Sequence, residues 1–340
     1  MKIIAPILTD THLKEGNLDT NVSIFKQSVD FCSNNGLTTL YHLGDIFDSR
    51  KAQPLVVLST FQSILDYCKV KGVNLVAIPG NHEKTDYKSV DSFLDPFRHH
   101  PSFTLIDTYF STLLTDEVTI HFIPFFKDEQ YNEVLRTTDG FINNATKNIL
   151  FTHIGITGAK MNNGSEVEGI APIDFKYFDK VFIGHYHDKQ IFGKFNYVGS
   201  SIQHNYGETP DKGLTLLYSD LSFQTLELEF PKFLKLEVDI NKLTPNDIQE
   251  ICNEKLISND NLRVILVGSE DKIKSFNKQI FLEKGVSVQV KIDDVVKSEI
   301  DDRVEPFTST SILEQYEAYC KKNDIVDQQR GLNYLKKVLK

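Results

Sequence analysis

The first 230 residues alternate short apolar runs with amphipathic stretches. Runs at Ile3–Leu8, Thr38–Leu43 and Val73–Ile78 have the length of buried strands, and between them Val22–Ser33 and the segment after Pro54 carry apolar positions at helical spacing. Asn35-Gly36 supplies a stop for the first of these helices. Strand, helix, strand repetition with strands apolar on both faces predicts a layered α/β sheet. Further runs at Thr104–Phe110, Val118–Ile123, Asn148–Thr152, Val181–Ile183, Leu214–Tyr218 and Phe223–Phe230 are denser in strand and poorer in helix, which predicts a second sheet packed on the first. Pro6 lacks the N–H that a central strand needs, so the first run is expected to hold a bulge or to lie at an edge.

From residue 231 the rhythm changes. A strand at Leu234–Ile240, a helix after Pro245, a strand at Leu262–Val267, a helix at Asp271–Phe281 and a strand at Val286–Ile292 predict a small separate α/β domain over residues 231–292. Residues 293–306 hold Asp293, Asp294, Glu299, Asp301, Asp302 and Glu305 and read as an acidic linker. Residues 307–340 place Ile312, Tyr316 and Tyr319, then Leu332, Leu335, Val338 and Leu339, at helical spacing. That pattern predicts a helical arm whose apolar faces dock on another chain. The expected fold class is α/β: a two-sheet α/β sandwich over residues 1–230, a small α/β capping domain and a C-terminal helical arm.

Size agrees with this division, because 340 residues with 40% apolar side chains exceed what one compact core holds. No apolar run approaches the roughly 18 residues that cross a bilayer, and the Met1-Lys2 start lacks a signal-peptide pattern, so no membrane association is expected. Cys32, Cys68, Cys252 and Cys320 are scattered without a Cys-x-x-Cys pair, which excludes a thiolate zinc reading and fits a reducing cytoplasm. The net charge of −10 argues against holding nucleic acid by bulk charge, so any polyanion site must be local.

Candidate chemistry is confined to the first part of the chain, where all ten histidines lie between His12 and His204. Five short signals follow one another: Asp10-Thr11-His12, Gly44-Asp45-Ile46-Phe47-Asp48, Gly80-Asn81-His82-Glu83, His153, and Gly184-His185-Tyr186-His187. Four of them come directly after a predicted strand. In an α/β sheet, loops leaving the carboxyl ends of neighbouring strands meet in one crevice, so these distant segments are expected to form one site. Residues i and i+2 of an extended segment face the same side, which aims Asp10 with His12 and His185 with His187. Glycine before Asp45, Asn81 and His185 lets the chain turn tightly at each strand end.

Carboxylate, imidazole and amide oxygen without thiolate suit borderline or hard divalent ions such as Mn, Fe, Zn or Mg. Asp10, His12, Asp45, Asn81, His153, His185 and His187 suffice for two ions, with Asp45 as the natural bridge. Such a pair clamps a phosphoryl group and activates water. Two dications against two carboxylates and a hydroxide leave a focus of about +1, which an acidic protein can present to a phosphodiester. Arg50, Lys51, Lys84 and Lys88 flank the signals and could extend that focus along a nucleic-acid backbone. Singly, each signal has a plainer reading: a strand-end cap for Asp10-x-His12, a turn for Gly44-Asp45, a core residue for His42 and a loop residue near the substrate for His204.

In combination the five signals resemble the calcineurin-like metallophosphoesterase superfamily, and with the small C-terminal domain they resemble its SbcD branch. That branch comprises the nuclease subunits of double-strand-break repair and recombination complexes, those of T-even phages included. The resemblance implies one metal on Asp10, His12, Asp45 and His187 and another on Asp45, Asn81, His153 and His185, with Mn favoured. It further implies that His82 protonates the leaving oxygen or stabilises the charge developing there, and it places Asp48 and Glu83 as supporting or phosphate-orienting groups. Archaeal and eukaryotic members carry histidine at the place of Asp48, so aspartate groups this chain with bacterial and phage members. The loop Tyr197-Val198-Gly199-Ser200-Ser201-Ile202 also resembles the branch.

The function implied is a 3′ to 5′ DNA exonuclease with endonuclease activity. The partners implied are double-stranded DNA ends and an SbcC-type SMC-like coiled-coil ATPase, with a homodimer inside a heterotetramer. Dimer contacts are expected from the helices near Pro54–Lys71 and Ser89–His99, and the arm at 307–340 is expected to bind the ATPase. The chain has no Gly-x-x-x-x-Gly-Lys-[Ser/Thr], so ATP hydrolysis must come from that partner. A small-molecule phosphodiesterase or protein phosphatase would use the same centre, and a non-catalytic scaffold would keep only the fold.

Overall fold

In a computed structural model of the chain, residues 2–161, 164–258 and 260–292 and the single positions 316 and 332 are described. The acidic stretch 293–306 and the arm expected at 307–340 lie outside the described residues apart from Tyr316 and Leu332.

The strands, in chain order, are β1 (Ile3–Leu8), β2 (Thr39–His42), β3 (Asn74–Ala77), β4 (Phe103–Leu105), β5 (Phe110–Thr115), β6 (Val118–Ile123), β7 (Lys147–His153), β8 (Lys180–Gly184), β9 (Gln190–Phe192), β10 (Phe195–Tyr197), β11 (Gly213–Tyr218), β12 (Phe223–Glu227), β13 (Phe233–Asp239), β14 (Asn261–Gly268) and β15 (Ser287–Ile292). The helices are α1 (Leu18–Asn34), α2 (Leu55–Lys71), α3 (Asp128–Thr137), α4 (Pro245–Ser258), α5 (Glu270–Ser275) and α6 (Gln279–Leu282).

Two six-stranded sheets face each other, one in the order β12-β11-β1-β2-β3-β4 and the other β5-β6-β7-β8-β10-β9. Ala5, Ile7, Tyr41 and Ile78 of the first interdigitate with Val118, Ile120, Phe122, Phe151 and Phe182 of the second. Helix α1 turns Ile24, Phe25, Val29 and Cys32 onto the outer face of the first sheet, and α2 adds Val57, Phe61, Ile64, Leu65 and Cys68. That spacing is one helical face, and each large side chain so buried contributes roughly 1.5–3 kcal/mol. Gly72 ends α2 in the left-handed conformation, φ 68°, which favours glycine. Helix α3 covers the second sheet through Tyr131 and Leu135. The result is the two-sheet α/β sandwich that the alternation of runs predicts. Because β1-β2-β3 and β6-β7-β8 run parallel, the carboxyl ends of β1, β2, β3, β7 and β8 open onto one crevice.

The third sheet, β13-β14-β15, is parallel throughout and has its own core of Ile251, Leu262, Val264, Leu266, Phe281 and Val286. Helices α4 and then α5 with α6 make the crossovers that parallel strands require.

Several expectations are corrected. Strand β1 lies inside its sheet, between β11 and β2, so the edge alternative for Pro6 falls, while the bulge alternative has its counterpart in a register shift against β11 between Ile3 and Ala5. The run Thr104–Phe110 is divided between β4 in one sheet and β5 in the other. The helix expected over Asp271–Phe281 breaks into α5 and α6, since Phe276 is extended at φ −74°, ψ 131°. Helix α3 and the β9–β10 hairpin were not expected: α3 buries only Tyr131 and Leu135, and each hairpin strand is three residues long. Among the described residues no helix is long and apolar enough to cross a membrane.

Candidate metal centre

The crevice gathers side chains from all five sequence signals. On one side the Nε2 atoms of His12 and His187 lie 3.1 Å apart, with Asp10 Oδ1 3.9 Å from each and Asp45 Oδ2 3.8 Å from His12. On the other side Asn81 Oδ1 lies 3.1 Å from His153 Nε2 and 3.0 Å from His185 Nδ1, and Asp45 Oδ2 is 3.3 Å from His153 Nε2. Asp45 is the carboxylate common to both groups. The seven residues anticipated as ligands therefore converge in two adjoining sets, both O/N in character and free of thiolate.

The backbone reaches this arrangement differently from the extended i, i+2 pairing expected. Asp10, His12, Asp45 and His185 have φ of 49°, 45°, 56° and 90°. Left-handed backbone at non-glycine residues costs of the order of 1–3 kcal/mol each, and such strain gathers where function over-determines geometry. Gly44 takes φ 92°, as a tight turn requires. At Gly80 the need is close approach instead: a Cβ there would lie 2.2 Å from Asp45 Oδ1.

Hydrogen bonds fix which face of each imidazole is presented. His153 Nδ1–H donates to the Leu43 carbonyl at 2.7 Å, and His187 Nδ1–H donates to Glu208 Oε1 at 2.9 Å, so each turns Nε2 inward. Asp10 accepts the His185 backbone N–H at 3.0 Å and the Thr9 hydroxyl. Buried Glu83 accepts three backbone N–H groups, from Asp45, Phe47 and Gly80, each at 2.8 Å, and thereby ties two ligand loops together. His12 Nδ1 has no hydrogen-bond partner; the nearest carboxylate oxygen is Asp48 Oδ1 at 3.6 Å, which Lys14 also holds at 3.1 Å.

Electrostatics follow burial and pairing. Burial lowers His12 well below its ordinary range, and burial together with His153 takes His185 to about 3, so both present neutral imidazoles. Burial opposes charge on His153, but the Asp45 carboxylate outweighs it and raises the imidazole to about 9. Burial likewise opposes charge on Asp45, but His153 prevails and holds that carboxyl well below the usual range. Burial raises Asp10. Burial and the Asp45 charge raise Glu83 to about 8 against its three N–H donors.

These residues fit a pair of divalent cations. Two imidazole Nε2 atoms face each other at 3.1 Å, and two further imidazole nitrogens converge on one amide oxygen. Nitrogen and oxygen atoms gathered this closely are what a shared cation would satisfy, and they fall into the groups His12, His187 and His204; His12, Asp45 and His82; and Asp45, His153 and His185.

His82 adjoins His12 and Asp45, but both of its ring nitrogens are engaged by other partners. Its ring is 4.6 Å from that of His12, its Nδ1–H donates to the Asp48 carbonyl, and its Nε2 accepts from Arg50 Nη2 at 2.7 Å. Arg50, Lys51 and Lys88 are exposed. Lys84 corrects the expectation of a DNA contact: it is fully buried, its ammonium donates to the Ser89 carbonyl at 2.9 Å and lies 3.9 Å over the Phe126 ring.

Two residues join the site that spacing did not single out as supports. Glu208 is buried; burial works to raise it, but the bond from His187 prevails and holds it at about 2. His204, expected only as a loop residue near the substrate, donates from Nε2 to the Asp10 carbonyl at 2.8 Å, with its ring 4.9 Å from His12 and 4.8 Å from His187. Both follow the Tyr197–Ile202 loop, and a lone glutamate in such a loop carries no periodic signal.

The chain resembles exonuclease subunit 1 of Enterobacteria phage T4, at 26% identity over 298 residues covering 86% of this chain and 84% of that protein. Among solved structures it is similar to a dimetal phosphatase from Danio rerio, at 11% identity and a TM-score of 0.43, over 64% of this chain and 93% of that one. It is also similar to the nuclease MPE of Pseudomonas putida, at 12% identity and a TM-score of 0.28, over 63% of this chain and 83% of that one. The family model for calcineurin-like phosphoesterases matches residues 7–189, a span from the first strand through His187 that takes in every ligand set above, and the chain belongs to that family.

Proposed function

We propose that this phosphoesterase is a metal-dependent DNA nuclease, a 3′ to 5′ exonuclease with endonuclease activity. It would work on double-stranded DNA ends with an SMC-like coiled-coil ATPase, as a homodimer within a heterotetramer. The observation that carries the reading is the extent of the similarity to the phage exonuclease subunit. It covers 86% of this chain, more than residues 1–230 can supply, so it continues into the third sheet.

Asp10, His12, Asp45 and His187 would hold one divalent ion and Asp45, Asn81, His153 and His185 the other, with Mn favoured. When bound, such ions supply Lewis-acid charge and lower the pKa of water beside a phosphodiester. The chain's own groups do the rest. His82 is held by the Asp48 carbonyl, with Arg50 at its Nε2, and would face the departing sugar oxygen. Arg50 brings a guanidinium to the same place, suited to phosphate oxygens. Glu83 and Glu208 keep the ligand loops in register.

The test is purified full-length protein with Mn on end-labelled linear duplex DNA and, in parallel, on a chromogenic phosphoester. Shortening of the duplex from its 3′ ends supports the reading. Turnover of the small ester with intact DNA would refute it.

A further inference from the structure

The third sheet touches the phosphoesterase domain at the loop Gln203–Glu208, the same loop that supports His187. From the side of the third sheet, the Arg263 guanidinium stacks 3.8 Å over the Tyr206 ring, the Phe233 ring meets that ring edge-on at 5.0 Å, and Ser287 Oγ is 3.3 Å from the Tyr206 hydroxyl. Gln203 then crosses between the two. Its Oε1 accepts the Phe233 N–H at 2.9 Å, while its Nε2 donates to the Glu208 carbonyl at 3.0 Å. At the far end Glu208 spends its carboxylate on the metal side: Oε1 takes the His187 Nδ1 proton at 2.9 Å and Oε2 takes the His204 N–H at 3.0 Å.

We infer that the third sheet is a positioning element for the His12–His187 metal position, with Arg263 and Tyr206 as the residues that transmit its grip. The reason is geometric. Glu208 lies in a loop without regular structure, and the orientation of a carboxylate behind a ligating histidine sets ligand direction and basicity. Both faces of this loop are held, one by the third sheet and one by the metal ligands, so a shift of the sheet moves Glu208 relative to His187. Among the described residues no side chain of Asn81, His153 or His185 bonds to this loop: His153 is oriented by Leu43 on β2's exit loop, Asn81 follows β3, and His185 reaches the loop only through its backbone N–H on Asp10, whose carbonyl accepts His204. The coupling is therefore stronger on the His187 side, and it holds whichever phosphoester is cleaved.

The full-length chain, Arg263→Ala and Tyr206→Ala would be titrated with Mn by calorimetry. Hydrogen exchange of the loop amides would be followed in the metal-free proteins. One of two Mn ions is expected to bind about tenfold or more weakly in each variant, in the same phase that Glu208→Gln weakens, with the other ion held within about twofold. Exchange at His204 and its neighbours should quicken without metal, and Arg263→Lys should recover part of both effects. Lys291→Ala, which removes an exposed ion pair to Glu237 in the same sheet, should change neither. Two ions bound as in the unmodified chain, with unchanged exchange in a folded Arg263→Ala or Tyr206→Ala protein, would overturn the coupling. Equal weakening of both ions would overturn it as well.

Discussion

Glu208 Oε1 accepts the Nδ1 proton of His187 at 2.9 Å, and both residues are held from behind by one lysine. Lys212 is fully buried, donates to the His187 carbonyl and lies 3.6 Å from Glu208 Oε2. Glu208→Gln keeps the shape but replaces a charged acceptor with a neutral one. Metal affinity is expected to fall about 10- to 100-fold, as is usual when a carboxylate behind a ligating histidine is lost. Glu208→Ala should in addition destabilise the fold by roughly 1–3 kcal/mol, because the His187 Nδ1–H and the His204 N–H lose their acceptor while Lys212 keeps Asp188 at 3.2 Å. Calorimetric metal titration and denaturant unfolding of both variants check this.

Glu83 makes a different kind of contribution. Its carboxylate takes three backbone N–H groups, and Glu83→Gln turns an amide NH2 toward donors that need an acceptor. A loss of about 1–3 kcal/mol in unfolding free energy is expected, accompanied by weaker metal binding because Asp45 and Gly80 are among the donors. An unchanged melting temperature would contradict the assignment.

Lys84 supplies a pH dependence with a definite sign. Burial lowers its ammonium from the ordinary 10.5 to about 8. Between those values the unfolded chain binds more protons than the folded one, so this group makes the fold more stable as pH rises through that window. Lys84→Met should flatten the stability profile from about pH 8 to 10 and leave DNA affinity within about twofold. A large loss of DNA binding in that variant would restore Lys84 as a contact.

His82→Ala should retain metal, since the His82 ring nitrogens bond the Asp48 carbonyl and Arg50. Turnover on DNA is expected to drop by about 10²- to 10⁴-fold, and far less on an ester whose leaving group needs no proton. Equal losses on the two substrates would remove the leaving-group role.

How much of this was legible in the sequence depends on the range of each interaction. The strands β1, β2, β3, β6, β7 and β8 were readable because both faces of each are buried and the runs are continuous. Asp10, His12, Asp45, Asn81, His153, His185 and His187 were readable because each lies at or within a few residues of the carboxyl end of such a strand. The left-handed backbone at Asp10, His12, Asp45 and His185 was not, since only a small share of aspartates and histidines adopt positive φ and nothing local marks which ones do. Burial of Lys84 depends on Phe126, more than forty positions away, and Glu208 meets His187 only through the loop's path. Helix α3 escaped because two buried side chains make too weak a periodic pattern.

Above all, seven side chains from five segments converge in one crevice, and a pair of divalent ions is assigned to them. The most direct measurement is the number of Mn ions bound per chain by metal-stripped protein after reconstitution and removal of excess. The account predicts two in the unmodified protein and a loss of at least one in Asp45→Asn, the variant at the shared carboxylate. A chain that binds none, or whose Asp45→Asn form holds two as firmly, would contradict it.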